Sequence, residues 1–206
     1  EHKEETVEIM AVDGKIPMKL KVSYAKLSAV QTLAGKDQPN PQPLDGKSYL
    51  VWSEGGVVKY STADGKPVSP EEEKALASKA DDVGRVDPLD EIMSSHVWKI
   101  GETYALSDAD LAKIAGAALP GKPVPKAMSF TLTAADDKLA TFDMTTKLVQ
   151  GDGPENLTFD MKGVAKVERA TARGLEMKLS GPLTGTIKGM PTTGTIDGVT
   201  TYTYGP

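Results

Sequence analysis

The stretch Thr141-Phe142-Asp143-Met144-Thr145-Thr146-Lys147-Leu148, with its echo Leu157-Thr158-Phe159-Asp160-Met161-Lys162, decides how this chain is read. In the first, Phe142, Met144, Thr146 and Leu148 alternate with Thr141, Asp143, Thr145 and Lys147. In the second, Leu157, Phe159 and Met161 alternate with Thr158, Asp160 and Lys162. A period of two places one set on each side of a pleated strand, so each stretch has a dry face and a wet face. Leu175, Met177 and Leu179 repeat the pattern around Glu176 and Lys178. Turn-forming residues interrupt the runs at Asp136-Asp137, from Gly151 to Pro154, at Gly174 and at Gly181-Pro182. That spacing predicts an antiparallel meander over 126–206. Its dry face needs covering, either by helices or by the sheet curling on itself.

The tetrapeptide Thr141-Phe142-Asp143-Met144 recurs as Thr158-Phe159-Asp160-Met161, seventeen residues on. Leu175-Glu176-Met177 is a weaker third copy, and Met128-Ser129-Phe130 a reversed fourth. A chain that goes out and back in that distance is expected to set Met128, Met144, Met161 and Met177 in a row across the dry face. With Phe130, Phe142 and Phe159 they are the candidate lining of a hydrophobic-ligand site. Methionine also fills irregular gaps between sheet and helix, so a filled core uses the same residues. Both readings stand at this point.

Upstream, the region 6–65 also alternates like strands. Ile16, Met18, Leu20, Val22 and Tyr24 are apolar, with Lys15, Lys19, Lys21 and Ser23 between them. Asp13-Gly14 is a hairpin signal joining this run to Val7–Val12. The pieces 48–52 and 57–61, joined by Gly55-Gly56, read as a second hairpin, and the prolines Pro39, Pro41 and Pro43 as a loop between the two. The charged start Glu1-His2-Lys3-Glu4-Glu5 reads as a solvated tail.

The region 66–119 changes to helical spacing. Ser69-Pro70-Glu71-Glu72 is a capping box with proline at the first helical position. Asp87 caps a short helix with Leu89, Ile92 and Met93 on one face. A strand-like piece follows at 98–105. Ser107 then caps a third helix, carrying Leu111, Ile114 and Ala115 and ended by Gly116. None is long enough to stand alone. The expectation is therefore a single α+β domain over 1–206, a curved, mainly antiparallel sheet or half-open barrel with short helices on its apolar face.

Composition narrows the function. With 206 residues and 39% apolar residues the chain can bury a core. A net charge of -5 argues against binding nucleic acid by phosphate neutralisation. No apolar run reaches the eighteen residues of a membrane-crossing helix. Zero cysteines remove disulfides, thiol catalysis and cysteine-held zinc. Residue 1 is Glu rather than Met, so a processed chain is expected. Of the two histidines, His2 lies in the charged start, and His96 follows Ser94-Ser95 without a nucleophile-elbow motif. Gly46-Lys47-Ser48 fails as a phosphate loop, because Pro41 stands where its first glycine belongs. Asp81, Asp82, Asp87, Asp90 and Glu91 do not have calcium-loop spacing and read as a solvated stretch. No catalytic residue, metal or organic cofactor is expected.

The order Leu44-Asp45-Gly46-Lys47-Ser48-Tyr49, Asp64-Gly65-Lys66-Pro67-Val68-Ser69, Val97-Trp98-Lys99-Ile100-Gly101-Glu102 and Gly163-Val164 through Gly181 resembles uncharacterised, exported bacterial proteins rich in β-structure. The architecture is similar to the half-barrels of periplasmic lipoprotein carriers and mycobacterial lipid-binding lipoproteins. The resemblance implies an exported protein of the periplasm, cell envelope or exterior. Its expected function is non-enzymatic binding of a lipid or other hydrophobic ligand between sheet and helices. The alternative is a structural or protein-interaction module with a filled core, and a hydrolase is a distant third.

Overall fold

The computed structural model describes residues 2–14, 16–33, 36–40, 42–117, 123–152, 155–171, 173–187 and 189–204. Strands dominate, forming an open, mostly antiparallel sheet of eleven strands with three short α-helices, an α+β architecture. The chain divides into two compact units, 1–86 with 198–206, and 87–197. The last strand contributes to both.

The first unit holds β1 (His2–Asp13), β2 (Ile16–Leu33), β3 (Lys36–Asn40), β4 (Ser48–Glu54) and β5 (Val57–Thr62). Asp13-Gly14 turns β1 into β2 as expected, with Val7 opposite Val22 and Ile9 opposite Leu20. The second hairpin also forms, Trp52 lying opposite Lys59. The inward residues Val7, Leu20, Val22, Tyr49 and Val51 are almost wholly buried. Helix α1 (Pro70–Leu76) begins with the expected capping box, the Ser69 hydroxyl accepting from the Glu72 N–H and the Glu72 carboxylate from the Ser69 N–H. Glu72 also accepts from Tyr49 Oη and Lys47 Nζ, both at 2.8 Å, which ties the helix start to β4. The chain then tightens into a 3-10 helix over Ala77–Asp82.

Two expectations for this unit are corrected. The charged start is no tail: β1 begins at His2, and the Glu5 side chain is 2% exposed. Pairing with β2 drives it inward, where Lys79 and Thr200 neutralise and hydrogen-bond its carboxylate. The proline loop is partly strand, because Pro39 sits in β3 opposite Val30. A strand paired on one side tolerates a residue without an N–H. Pro41 lies outside the described residues.

The second unit holds α2 (Pro88–Ser95), β6 (Thr103–Ala105), α3 (Asp108–Ala117), β7 (Val124–Ala135), β8 (Leu139–Asp152), β9 (Glu155–Glu168), β10 (Gly174–Ile187) and the start of β11 (Met190–Tyr204). β6 to β10 pair in chain order, each antiparallel to the next. Asp87 caps α2 by accepting from the Leu89 N–H, as the sequence indicates. The Ser107 hydroxyl accepts from the Asp110 N–H at the start of α3, which runs through Gly116 to Ala117 rather than ending at the glycine. Of the strand-like piece at 98–105 only the last three residues pair, with Thr131, Phe130 and Ser129.

Gly181-Pro182 is no turn. β10 passes straight through it, running from Gly174 to Ile187. The glycine serves a close strand approach: a Cβ on Gly181 would overlap the Asp160 carbonyl of β9, and one on Gly163 the Lys178 carbonyl of β10. Residues 153 and 154 of the expected break at 151–154 lie outside the described residues.

Candidate functional site

β7, β8 and β9 each present the expected dry face, with Phe130, Phe142, Met144, Phe159 and Met161 all buried. Met128 and Met177 are half-buried and pack at the margin of the cluster that contains Phe130, Phe142 and Met144. Helices α2 and α3 supply Ile92 and Leu111 to this cluster, and the link between β6 and α3 supplies Leu106. Phe130, Phe142 and Met144 are therefore at most 5% exposed and filled against helix side chains.

The four methionines share a face but not a row. Met128 lies opposite Thr146, which in turn faces Met161. Met144 sits between Phe130 and Gly163, while Met177 faces Ala165 in the row of Phe142 and Leu132. The cause is turn geometry. A repeat is in register across a hairpin only if the turn is centred midway between its copies, and each displacement of that centre by one residue shifts the row by two. The shift is even, so the side chains stay on one face while the row is broken, Met128 and Met161 sharing one cross-strand row and Met144 and Met177 each lying in another.

An open cleft of about 380 Å³ borders this face, within the 300–1,000 Å³ range of small-molecule sites. Leu106 and Leu111 line it from the helix side and Met128 from β7, together with the charged Asp108 and Lys126. Its position follows from the strand lengths. β6 spans three residues and pairs only with 129–131, so β7 from Val124 to Met128 is paired with β8 on one edge and has no strand on the β6 edge. One hydrogen bond, from the Leu106 N–H to the Met128 carbonyl at 2.9 Å, closes the end of the cleft. Of the seven residues expected to line a ligand site, Met128 alone lines this cleft. Leu106 and Lys126 were not singled out by the sequence, and Leu111 only as part of the third helix, since the residues that end β6 so early carry no distinctive pattern.

Next to the core stands an aromatic group the sequence also left unassembled. The His96 ring stacks on Tyr104 at 4.3 Å and meets Trp98 edge-on at 4.6 Å, and Trp98 packs on Phe142 at 4.9 Å. His96 Nε2 faces Glu102 Oε1 at 3.1 Å. The Lys99 N–H and then His96 hold the Glu102 carboxyl below its ordinary range. Tyr104 donates to Asp110, which pushes the phenol up. These bonds engage His96 with the adjoining loop. Among the described residues no three His, Asp or Glu side chains converge as a metal site. The acidic stretch is divided, Asp87 capping α2 and Asp82 pairing with Lys79 at 3.4 Å.

Among the described residues no helix is long and apolar enough to cross a membrane. The chain matches no protein-family model, no curated protein and no solved structure at a significant level.

Proposed function

We propose that this is a non-enzymatic binding protein of the cell envelope that seats the apolar part of a lipid or similar ligand in the cleft between α3 and β7. The observation that carries the reading is the cleft itself, a volume of about 380 Å³ lined by Leu106, Leu111 and Met128. Leucine and methionine offer a deformable apolar wall, and Lys126 offers a cation to an anionic head. The deeper residues Phe130, Phe142 and Met144 act as scaffold rather than as lining. The resemblance of the sequence to exported bacterial β-rich proteins lends the reading its envelope setting.

An apolar fluorescent probe titrated into the native protein tests it. Saturable binding that weakens in Met128→Ala and leaves the melting temperature unchanged supports the cleft. No saturable binding refutes it. The second reading, an interaction module with a filled core, is favoured by the packing of Ile92, Leu106 and Leu111 onto Phe130, Phe142 and Met144.

A further inference from the structure

His96 sits where three elements of the second unit meet. It is the C-terminal cap of α2 and opens the loop to β6, and its ring stacks on Tyr104 of β6 at 4.3 Å and 28°. Its Nε2 reaches Glu102 Oε1 at 3.1 Å. Glu102 is the hub of that loop. Its second carboxylate oxygen accepts from the Lys99 N–H at 3.0 Å, and its carbonyl accepts from the Leu132 N–H of β7 at 3.1 Å. The Gly101 N–H donates in turn to the Leu132 carbonyl at 2.7 Å. Tyr104 carries the contact on to α3. Its hydroxyl donates to Asp110 at 3.1 Å, to the same oxygen that accepts from Ser107 Oγ at 2.7 Å. An ionised carboxylate only accepts, so Nε2 is the donor to Glu102 and Nδ1 is the nitrogen that gains or loses the titrating proton. The side chain is 24% exposed, so water reaches the ring.

We propose that His96 is a pH-sensitive latch, closed by protonation, that clamps the loop from α2 to β6. Three features act in the same direction. The bond to Glu102 becomes charge-assisted when the ring is an imidazolium. The last carbonyls of α2 favour a cation at its C-terminal cap. The stacked Tyr104 ring offers its face to that cation. Of the other charged groups nearby, Lys99 acts on Glu102 from within the loop and opposes a second cation, while Asp110, bound to Tyr104, favours it. Imidazole is the side chain that changes charge between about pH 5 and 8. The carboxyls of Glu102 and Asp110 are held below their ordinary range and stay ionised across that window, and the Tyr104 phenol, pushed up, stays neutral. The clamp is therefore complete below the imidazole range and weakens as pH rises through it. The inference goes beyond the cleft reading and uses none of the residues that line the cleft.

Amide hydrogen exchange of the full chain at about pH 5 and pH 8, corrected for the intrinsic pH dependence of exchange, is the test. Protection of the Lys99 and Gly101 amides should be on the order of tenfold greater at the lower pH. The Ala63 amide, bonded to the Ser48 carbonyl in the first unit, should show no such gain. His96→Gln, which keeps a donor for Glu102, and His96→Phe, which keeps a ring on Tyr104, should each show equal protection at the two pH values. Glu102→Gln should lose most of the gain. His2→Gln, changing the other histidine, should keep it. Equal protection at both pH values in wild type, or a gain that survives both His96 variants, overturns the proposal. So does a gain that is lost in His2→Gln.

Discussion

Replacing Glu5 and Lys79, singly and together, probes the one place among the described residues where charge is buried. Lys79 Nζ lies 2.9 Å from Glu5 Oε1, with the two side chains 8% and 2% exposed. Thr200 Oγ1 donates to the same oxygen at 2.8 Å, and Lys3 Nζ stands 2.8 Å from Oε2. Burial disfavours the ammonium of Lys79, yet Asp82 and Glu5 outweigh it and hold its pKa well above the ordinary lysine value. Burial likewise works against the Glu5 carboxylate, but Lys79 and Lys3 prevail and hold it below its ordinary range. Removing one member of a buried pair strands the other at a cost of about 3–5 kcal/mol. Glu5→Met leaves Lys79 only Asp82, at 3.4 Å and 44% exposed on the side chain, so its cost should fall in that range. Lys79→Met leaves Glu5 with Lys3 and Thr200, so about 3 kcal/mol is expected. At about 2–4 °C per kcal/mol, each single change lowers the melting temperature by roughly 10 °C. The double variant buries two thioethers in place of two charges and should return to within about 1 kcal/mol of wild type. Urea unfolding followed by the fluorescence of Trp52 and Trp98 measures all three. Single changes costing under about 1 kcal/mol, or a double variant equal to their sum, would refute the argument.

The same carboxylate sets a pH dependence. Its folded pKa is depressed, so its contribution is complete above the unfolded value of about 4.3 and is lost as pH falls through the folded one. Wild type should therefore destabilise more steeply below about pH 4 than the Glu5→Met, Lys79→Met double variant in acid unfolding. Glu72, held at about 2 by Lys47 and then by the Ser69 N–H and Tyr49, adds loss in the same direction, and Ser69→Ala should cost about 0.5–2 kcal/mol in thermal unfolding. Gly163→Ala and Gly181→Ala push a methyl group into a neighbouring carbonyl and should each reduce yield or stability severely by circular dichroism. Gly116→Ala in α3 meets nothing within 4 Å and should stabilise by about 0.5–1 kcal/mol. Met144→Ala, deep in the packed cluster, should cost about 2–5 kcal/mol in urea unfolding without altering probe affinity.

The strands of the second unit were legible because a half-buried strand must alternate, and Phe142, Met144, Phe159 and Met161 all turned inward as their spacing requires. Helix starts were legible for an equally local reason: Ser69, Asp87 and Ser107 each satisfy an N–H two or three residues ahead. Gly181-Pro182 misled because the same dipeptide suits a turn or a strand whose neighbour approaches too closely for a side chain. The start Glu1–Glu5 misled because charge alone does not reveal a partner seventy-four positions away.

What the residues determined by themselves was therefore periodicity, polarity and caps, which depend on neighbours within a few positions. Registers between strands were left to the tertiary structure, since a turn centre displaced by one residue slides a row by two without turning any side chain over, and a bulge shifts the pairing by one more. The cleft beside Met128 exists only because β6 stops after three residues, and Glu5 is neutralised only where β1, β11 and the 3-10 helix meet. Both are consequences of long-range pairing, and no local pattern encodes them.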